Sequence, residues 1–224
     1  MTYLNQGQQG CIIQVQDNAL GPIVLKVGFL EDIQGLLKES RTSTLLRQLD
    51  PLHLRFAYSL NTVNTTSEFL ERAYPGFKHA FSTCLELSDH PESIHRMLQG
   101  IPVGLSVSRM RLLVPLQNNR LQRAQVLYLQ ESIQMLVHHG IVHNDIHADN
   151  IMLLPDQTLP GTSQLVPVLI DWSHSFFKQN LSPLDSQKDF TDLSNVTLQL
   201  QARAERLERA SLKRKRRPSL NEFE

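Results

Sequence analysis

The sequence predicts an α+β protein in which short apolar strands and amphipathic helices follow one another. Ile23–Val27 is an apolar run with the character of a strand. Leu121–His139 has apolar residues at a helical period, and Gly140 follows as a helix stop. Ile151–Leu154 and Val166–Ile170 are short apolar runs that suit strands. A chain of 224 residues can bury a substantial core, as one domain or one two-lobed unit.

The composition excludes several classes of protein. No apolar run approaches the ~20 residues that a membrane-spanning helix needs, and Met1–Asn5 lacks the basic-then-apolar form of a secretory signal, so we expect a soluble protein without membrane partners. Residues 1–212 carry 17 basic and 20 acidic side chains, which gives no support to broad nucleic-acid binding. The two cysteines, Cys11 and Cys84, are too few for a disulfide framework and favour a reducing cytosolic or nuclear compartment.

The other segments give weaker predictions. Glu31–Leu49 is helical in character and ends at Asp50, which precedes a proline. Leu193–Leu212 also has a helical pattern, with apolar positions among many charged ones. The remaining segments are expected to be a polar loop at Asn61–Ser67 and strands at Phe81–Leu87, Val103–Val107 and Met110–Leu116.

The loop that ends at Asn150 has the spacing of a catalytic loop. It reads G-I-V-H-N-D-I-H-A-D-N from Gly140 and holds His143 and Asp145. In phosphoryl transfer, an aspartate must accept or orient the proton of the attacking hydroxyl, and an amide oxygen five residues later can help to hold magnesium. Asp145 and Asn150 have that spacing. Read alone, the same pattern is also compatible with an ordinary core or capping histidine at His143.

An acidic residue that bridges magnesium to the phosphates should then follow from another strand end. Asp171 ends the apolar run Val166–Ile170 and is followed by Trp172 and Ser173. These residues resemble the protein-kinase-like superfamily, with His143-Asn144-Asp145 at the place of the catalytic H-R-D and Asp171-Trp172-Ser173 at the place of D-F-G. The resemblance is to a small atypical or viral-type minimal kinase.

The resemblance implies a two-lobed protein-kinase-like fold with a truncated C-lobe. Residues 1–116 would form the N-lobe, with a glycine-rich loop, a lysine strand, a helix and a hinge strand. Residues 117–212 would form a reduced helical C-lobe with the catalytic and metal-binding loops. Residues 213–224 would be a basic disordered tail. The segment after Asp171 is shorter than a full activation segment of that family and contains no A-P-E.

The N-terminal residues resemble the glycine-rich loop of kinases, G-x-G-x-x-G-x-V. Gly7 and Gly10 are kept, and Asn5 stands at the first glycine position. Glycine suits a hairpin over a triphosphate because a β-carbon would obstruct close approach of the backbone. Lys26 follows in I-V-L-K-V, which resembles V-A-I-K, and would steady the α- and β-phosphates of ATP. The alternative for Lys26 is an ordinary solvated lysine.

Two further assignments depend on the resemblance. Glu39 is the expected ion-pair partner of Lys26, although one alignment of the helix leucines puts Thr42 at that place, and Glu39 is otherwise a surface residue. The hinge that contacts adenine through backbone groups is expected near Val114 and Leu116. Pro115 removes one donor from the hinge pattern.

Departures from the family pattern bear on the substrate. Asn144 replaces the arginine of H-R-D, so an activation-loop phosphate would find no arginine there. His147 stands where protein kinases keep a lysine. A histidine at this place resembles the D-x-H-x-x-N arrangement of haspin-like and aminoglycoside-phosphotransferase-like enzymes, and it could contact the transferred phosphoryl group. Asp192 could support the catalytic loop from a helix, with Asp189 as one alternative and an ordinary aspartate at a helix start as another.

The resemblance therefore implies an enzyme that binds ATP with Mg²⁺ and transfers the γ-phosphoryl group to a hydroxyl. Asp145 and His147 are the expected catalytic residues, Asn150 and Asp171 the metal ligands. A Ser/Thr protein substrate is preferred because the basic run Lys213–Arg217 resembles a nuclear-import signal, with an import receptor as partner and the nucleus or cytoplasm as location. A small-molecule acceptor, or a pseudokinase that binds without turnover, stays open.

Overall fold

The computed structural model describes residues 2–7, 10–29, 33–82, 91–101, 104–116 and 120–215. It is a mixed α+β structure with antiparallel sheets and helices. The strands are β1 (Thr2–Gly7), β2 (Gly10–Asp17), β3 (Gly21–Phe29), β4 (Asn61–Thr66), β5 (Gly104–Arg111), β6 (Val114–Pro115), β7 (Ile141–Val142), β8 (Ile151–Thr158), β9 (Leu165–Leu169) and β10 (Phe176–Phe177). The helices are α1 (Ile33–Leu49), α2 (Ser67–Ala73), α3 (Phe77–Ser82), α4 (Pro91–Leu98), α5 (Arg123–His138) and α6 (Pro183–Lys215).

A five-stranded antiparallel sheet is built in the order β1-β2-β3-β5-β4. Side chains alternate between its two faces. Leu25 and Val27 of β3 and Val107 of β5 point into an apolar core. Lys26 and its neighbour across the strands, Ser108, lie on the other face. The central strand β3 is therefore buried on both sides, with one apolar face and one polar face.

Three short helices between β4 and β5 cover the apolar face of this sheet. Leu70 of α2, Phe77 of α3 and Met97 of α4 share one core with β2, β3 and β5. The rings of Phe29 and Phe81 also meet edge to face, with centroids 5.7 Å apart. Each large apolar side chain that is fully buried here contributes about 1.5–3 kcal/mol. The covering helices therefore stabilise the sheet that carries Lys26.

A second core joins α5 and α6 to the smaller strands. One face of α5, at Leu129, Ile133 and Leu136, has the spacing of a buried helical stripe. The partners in this core come from other elements: Leu46 of α1, Phe56 and Tyr58 of the segment after α1, Trp172, and Leu193, Val196 and Leu200 of α6. The helix α1 thus contributes Leu46 to this second core.

Two small sheets position the loops of the candidate site. β7 pairs with β10, and β8 pairs with β6 and β9. Residues 143–150 therefore connect two strands, β7 and β8, that belong to different sheets. The segment 170–175 connects β9 to β10 in the same way. The backbone N–H of Ile170 donates to the carbonyl of Asn150 at 3.0 Å, which joins the two connections directly.

Several predicted elements differ from the structure. Asn61–Thr66 is a strand rather than a polar loop, because its backbone pairs along the whole edge of β5. Phe81 lies in the helix α3, and 83–87 lie outside the described residues. The runs expected as two strands, Val103–Val107 and Met110–Leu116, form one continuous strand β5 and the short strand β6.

The last helix and Cys11 also differ from expectation. The helix predicted for Leu193–Leu212 begins at Pro183 and continues to Lys215, into the segment assigned to the basic tail. The remainder of that tail lies outside the described residues. Cys11 is buried and disulfide-bonded, so the expectation of reduced cysteines does not hold for this residue.

Among the described residues, no helix combines the length and apolar character needed to cross a membrane.

Candidate functional site

Lys26 lies at the centre of a buried charge cluster. Its Nζ donates to Glu39 Oε2 of α1 at 2.7 Å and to Asp171 Oδ1 at 3.4 Å. The predicted ion pair with Glu39 is present, and the side chain of Glu39 is fully buried. The three residues come from β3, α1 and the segment after β9. Tertiary packing therefore brings together charges that are far apart in the chain.

The surrounding charges set the protonation of this cluster. Burial disfavours the ammonium of Lys26, but attraction to Glu39 and Asp171 outweighs it and raises the pKa of Lys26. Burial also disfavours the ionised Asp171, but the Lys26 ammonium and hydrogen bonds from Ser173 lower the pKa of that carboxyl. Lys26 is a cation and Asp171 an anion at neutral pH, as phosphate and metal binding require.

Hydroxyl groups on α1 hold Glu39 in place. Thr42, the alternative partner for Lys26, instead shares a hydrogen bond with Ser175 Oγ at 2.8 Å. Ser43 Oγ donates to the carbonyl of Glu39 at 2.7 Å and accepts from the N–H of Ser59 at 3.0 Å. α1 is therefore tied both to the segment after Asp171 and to the chain before β4.

The loop after β7 brings Asp145 and Asn150 together. Residues Ala148–Asn150 form a 3₁₀ turn that folds the chain back. Asn150 Nδ2 donates to the carbonyl of Asp145 at 2.9 Å and to its Oδ2 at 3.2 Å. Asn150 is buried, whereas the side chain of Asp145 is 37% exposed. The Asp145 carboxylate is therefore partly accessible to solvent, while the buried Asn150 side chain donates hydrogen bonds to it.

Two histidines flank the Asp145 carboxylate. His147 Nε2 lies 3.6 Å from Asp145 Oδ2, and His147 Nδ1 lies 3.8 Å from Asp149 Oδ2. His174 Nδ1 lies 3.4 Å from the same Oδ2 of Asp145. His174 is not among the site residues predicted from the sequence. It follows Ser173 in a polar segment with no diagnostic spacing, so no local signal distinguishes it.

The loop is supported from below by Asp189 of α6. Its two carboxylate oxygens accept from the backbone N–H groups of His143 at 2.7 Å and Asn144 at 2.8 Å. Asp192, the residue expected in this role, instead pairs with Lys188 on the helix surface. Asn144 has a φ of 66°, in the left-handed region that Asn tolerates better than most residues. The Asp189 carboxylate thus stabilises an uncommon backbone conformation just before Asp145.

His143 and Trp172 anchor the two connections on the second core. His143 Nε2 donates to the carbonyl of Ile170 at 2.8 Å, and its ring lies 4.5 Å from that of Trp172. Trp172 is fully buried and donates Nε1–H to the carbonyl of Ala57 at 2.7 Å. Asp171 has a φ of 60°, the second left-handed residue of the site. Such conformations cluster where tertiary packing holds a functional side chain in one direction.

The expected nucleotide contacts occupy three places. Gly7 and Gly10 are paired at the closed end of the β1–β2 hairpin, and residues 8–9 between them lie outside the described residues. Ile12, two residues after Gly10, pairs with Lys26. Gly10 therefore lies about 7 Å along β2 from Ile12, the residue that pairs with Lys26.

The expected hinge lies on β6 and the residue after it. Val114 pairs with Leu153 of β8, and Pro115 pairs with Met152. Leu116 is buried in the second core, so its side chain packs away from solvent. The contact of these residues with adenine remains a prediction.

The donor set fits magnesium only in company with phosphates. Asp171 supplies a carboxylate, and Asn150, which donates through Nδ2, keeps its Oδ1 as an acceptor. Among the described residues, no group of three or more His, Cys, Asp or Glu side chains could hold a metal ion by itself. Magnesium is commonly bound by one or two carboxylates together with substrate phosphates and water. The geometry is compatible with that mode.

Comparison with models of known protein families finds no match, and no curated protein matches the sequence.

Proposed function

We propose that this protein is an ATP- and Mg²⁺-dependent phosphotransferase of the protein-kinase-like type, which moves the γ-phosphoryl group to a hydroxyl acceptor. One observation carries the proposal: Lys26, Glu39 and Asp171 meet within 3.4 Å across 145 residues of sequence. The Asp145–Asn150 pair joins this cluster through the backbone hydrogen bond between Ile170 and Asn150. Phosphoryl transfer requires a cation that binds phosphate, a carboxylate that binds magnesium and a carboxylate base. Lys26, Asp171 and Asp145 could serve as these three groups.

Each residue has a distinct task in the proposed reaction. Lys26, oriented by Glu39, binds the α- and β-phosphates, and the hairpin at Gly7 and Gly10 covers them. Asp171 and Asn150 would hold magnesium, which neutralises phosphate charge when bound. Asp145 orients the acceptor hydroxyl and takes its proton. Catalysis then depends mainly on positioning and charge stabilisation.

The preferred acceptor is a Ser or Thr side chain of a protein. The motif H-N-D with Asn150 five residues after Asp145 supports a hydroxyl acceptor of any kind. The basic run Lys213–Arg217 favours a nuclear protein, and hence a protein substrate, although only its first three residues lie in the described part of the chain. His147 favours the alternative, a small-molecule hydroxyl, because of its place in the family pattern.

A pseudokinase that binds nucleotide without turnover is the second candidate. Asn5 at the first glycine position and Asn144 before Asp145 are the residues that favour it. The presence together of Lys26, Asp145, Asn150 and Asp171 speaks against it, because Asp145 would serve the transfer step and not nucleotide binding.

The test is transfer of the γ-phosphate of MgATP, measured with the wild type, Asp145→Asn and Asp171→Asn. Acceptors are the protein itself, a degenerate Ser/Thr peptide library and a panel of small polyhydroxylated molecules. Asp156→Asn, on the exposed end of β8, is the matched control. We expect loss of transfer by at least about 10²-fold with Asp145→Asn, with MgATP binding retained, and no change in the control. Binding without transfer in the wild type would establish the pseudokinase instead.

A further inference from the structure

Three nitrogen atoms converge on a single oxygen of Asp145. Asn150 Nδ2 lies 3.2 Å from Oδ2, His174 Nδ1 lies 3.4 Å from it, and His147 Nε2 lies 3.6 Å from it. Among the described residues, no hydrogen bond to Oδ1 of the same carboxylate is present. The two oxygens therefore differ: Oδ2 accepts a hydrogen bond from Asn150 and lies near both histidines, whereas Oδ1 accepts none from the described residues.

We propose that His174 is a positioning residue that fixes the Asp145 carboxylate so that Oδ1 faces the acceptor hydroxyl. The proposal rests on the proposed phosphotransferase function and adds a residue to it. A carboxylate turns about its Cβ–Cγ bond, a torsion with broad, roughly two-fold preference. The three nitrogen contacts on Oδ2 restrict that rotation. A carboxylate held in one orientation has its accepting oxygen in position for the proton of the hydroxyl more often than one that rotates freely.

The position of His174 is set by its neighbours rather than by chance exposure. Its carbonyl accepts from Asn144 Nδ2 at 3.4 Å, and its Nδ1 shares a hydrogen bond with Ser173 Oγ at 3.2 Å. The next residue, Ser175, is buried and bonded to Trp172. His174 therefore belongs to the segment that begins at Asp171 and reaches across to Asp145. His174 therefore links Asp171, the proposed magnesium ligand, to Asp145, the proposed base.

The contacting atom of the imidazole makes the role testable by substitution. Nδ1 is bonded directly to Cγ, and the amide nitrogen of asparagine occupies the same place. The amide of glutamine lies one carbon further out and matches Nε2 instead. His174→Asn should therefore keep the contact, and His174→Gln and His174→Leu should lose it. At His147, whose Nε2 faces Asp145, the order should reverse, with Gln retaining the contact better than Asn.

We expect kcat for phosphate transfer from MgATP to fall roughly tenfold in His174→Leu and His174→Gln. KM for MgATP should stay within about twofold of the wild type, because the nucleotide contacts are unchanged. His174→Asn should recover most of kcat. His138→Leu, an exposed histidine at the end of α5, is the control and should change neither constant. Thermal unfolding should show that all variants are folded.

A second readout does not depend on turnover. In the nitrogen NMR spectrum of the imidazoles, the signals of His174 should move when Asp145→Asn is introduced. They should not move with Asp149→Asn, because Asp149 contacts His147 rather than His174. Signals that ignore Asp145→Asn would overturn the contact itself.

The outcomes separate the inference from the function that it extends. If the wild type transfers phosphate and His174→Leu keeps full kcat, the positioning role is wrong and the phosphotransferase stands. If His174→Asn is as impaired as His174→Leu, the Nδ1 contact is not the cause. If the wild type transfers nothing, the phosphotransferase proposal fails first, and the role of His174 falls with it.

Discussion

The side-chain hydroxyls of Thr42 and Ser175 are hydrogen-bonded at 2.8 Å in a buried position. This hydrogen bond joins α1, which carries Glu39, to the segment that begins at Asp171. Glu39 and Asp171 are the two carboxylates that contact Lys26. Ser175 Oγ also donates to the carbonyl of Trp172 at 2.6 Å. Hydrogen bonds between neutral groups therefore support the positions of Glu39 and Asp171 beside Lys26.

Replacing Thr42 by valine tests this connection, since valine keeps the shape and removes the hydroxyl. We expect a loss of about 1 kcal/mol in the free energy of unfolding, because Ser175 keeps its bond to Trp172. Affinity for MgATP should also fall, since α1 carries Glu39. Thr44→Val on the exposed face of the same helix is the control and should change neither quantity. Equal effects of the two substitutions, measured by urea denaturation and nucleotide titration, would contradict the connection.

The buried pair of Lys26 and Glu39 should separate stability from nucleotide binding. Lys26→Met leaves Glu39 buried without its cation, and we expect a loss of about 3–5 kcal/mol in the free energy of unfolding. Adding Glu39→Leu should recover most of that loss, because an apolar pair replaces the stranded charge. MgATP binding should be absent in both variants. A double variant as unstable as the single one, in urea denaturation, would show that the charge is not the cause.

Local patterns predicted much of the scaffold of the site. The period of apolar residues predicted a helix at 121–139, where α5 spans 123–138, and the pattern at 31–49 predicted a helix where α1 spans 33–49. These elements depend on contacts that repeat every three or four residues, which a sequence records directly. The strands that end before Asn150 and Asp171 are apolar for the same reason. The spacing of Asp145 and Asn150, and the place of Asp171 at the end of an apolar run, then predicted these three as site residues.

Other features depend on partners far along the chain. β4 reads N-T-V-N-T-T and is a strand because its backbone pairs with β5, not because its side chains alternate. His174 and Ser175 acquire their roles from Asp145 and Thr42, which no spacing rule relates to them. Asp189 rather than Asp192 supports the loop, because helix rotation decides which carboxylate faces inward. These features depend on tertiary contacts between distant parts of the chain, which the periodicity of the sequence does not determine.

Gly140 has a backbone conformation and a neighbour that exclude any side chain. Its φ is +72°, and an added Cβ would lie 2.2 Å from the carbonyl oxygen of Lys178. The N–H of Lys178 also donates to the carbonyl of Gly140 at 2.9 Å, so the contact is fixed. We expect Gly140→Ala to reduce the free energy of unfolding by about 3 kcal/mol or more.

Gly161 provides a control for the strain alone. Its φ is +70°, and an added Cβ would meet nothing within 4 Å. Gly161→Ala should cost only about 1–2 kcal/mol, the penalty of the left-handed conformation. The difference between the two variants in urea denaturation measures the clash with Lys178. Equal losses would mean that Lys178 moves away without cost.

His143 should make the stability of the fold depend on pH. Burial lowers the pKa of its imidazole from the ordinary value of 6.5, and Nδ1 is buried without a hydrogen-bond partner, so protonation would bury an unpaired N–H. Well above pH 6.5 the imidazole is neutral in both states, and its contribution to stability is fully present. As the pH falls below that value, the unfolded chain takes up a proton that the folded chain resists, and the contribution is progressively lost.

The measurement is the free energy of unfolding in urea from about pH 7.5 to about pH 5.5, for the wild type and His143→Gln. Asp189, Asp171 and Asp145 also face this imidazole, and they favour its protonated form. They reduce the effect without reversing it, because burial is the larger influence. We expect the wild type to lose stability toward acid more steeply than His143→Gln, and exposed His138→Gln to follow the wild type. Parallel curves for the wild type and His143→Gln would show that His143 is not the group that responds.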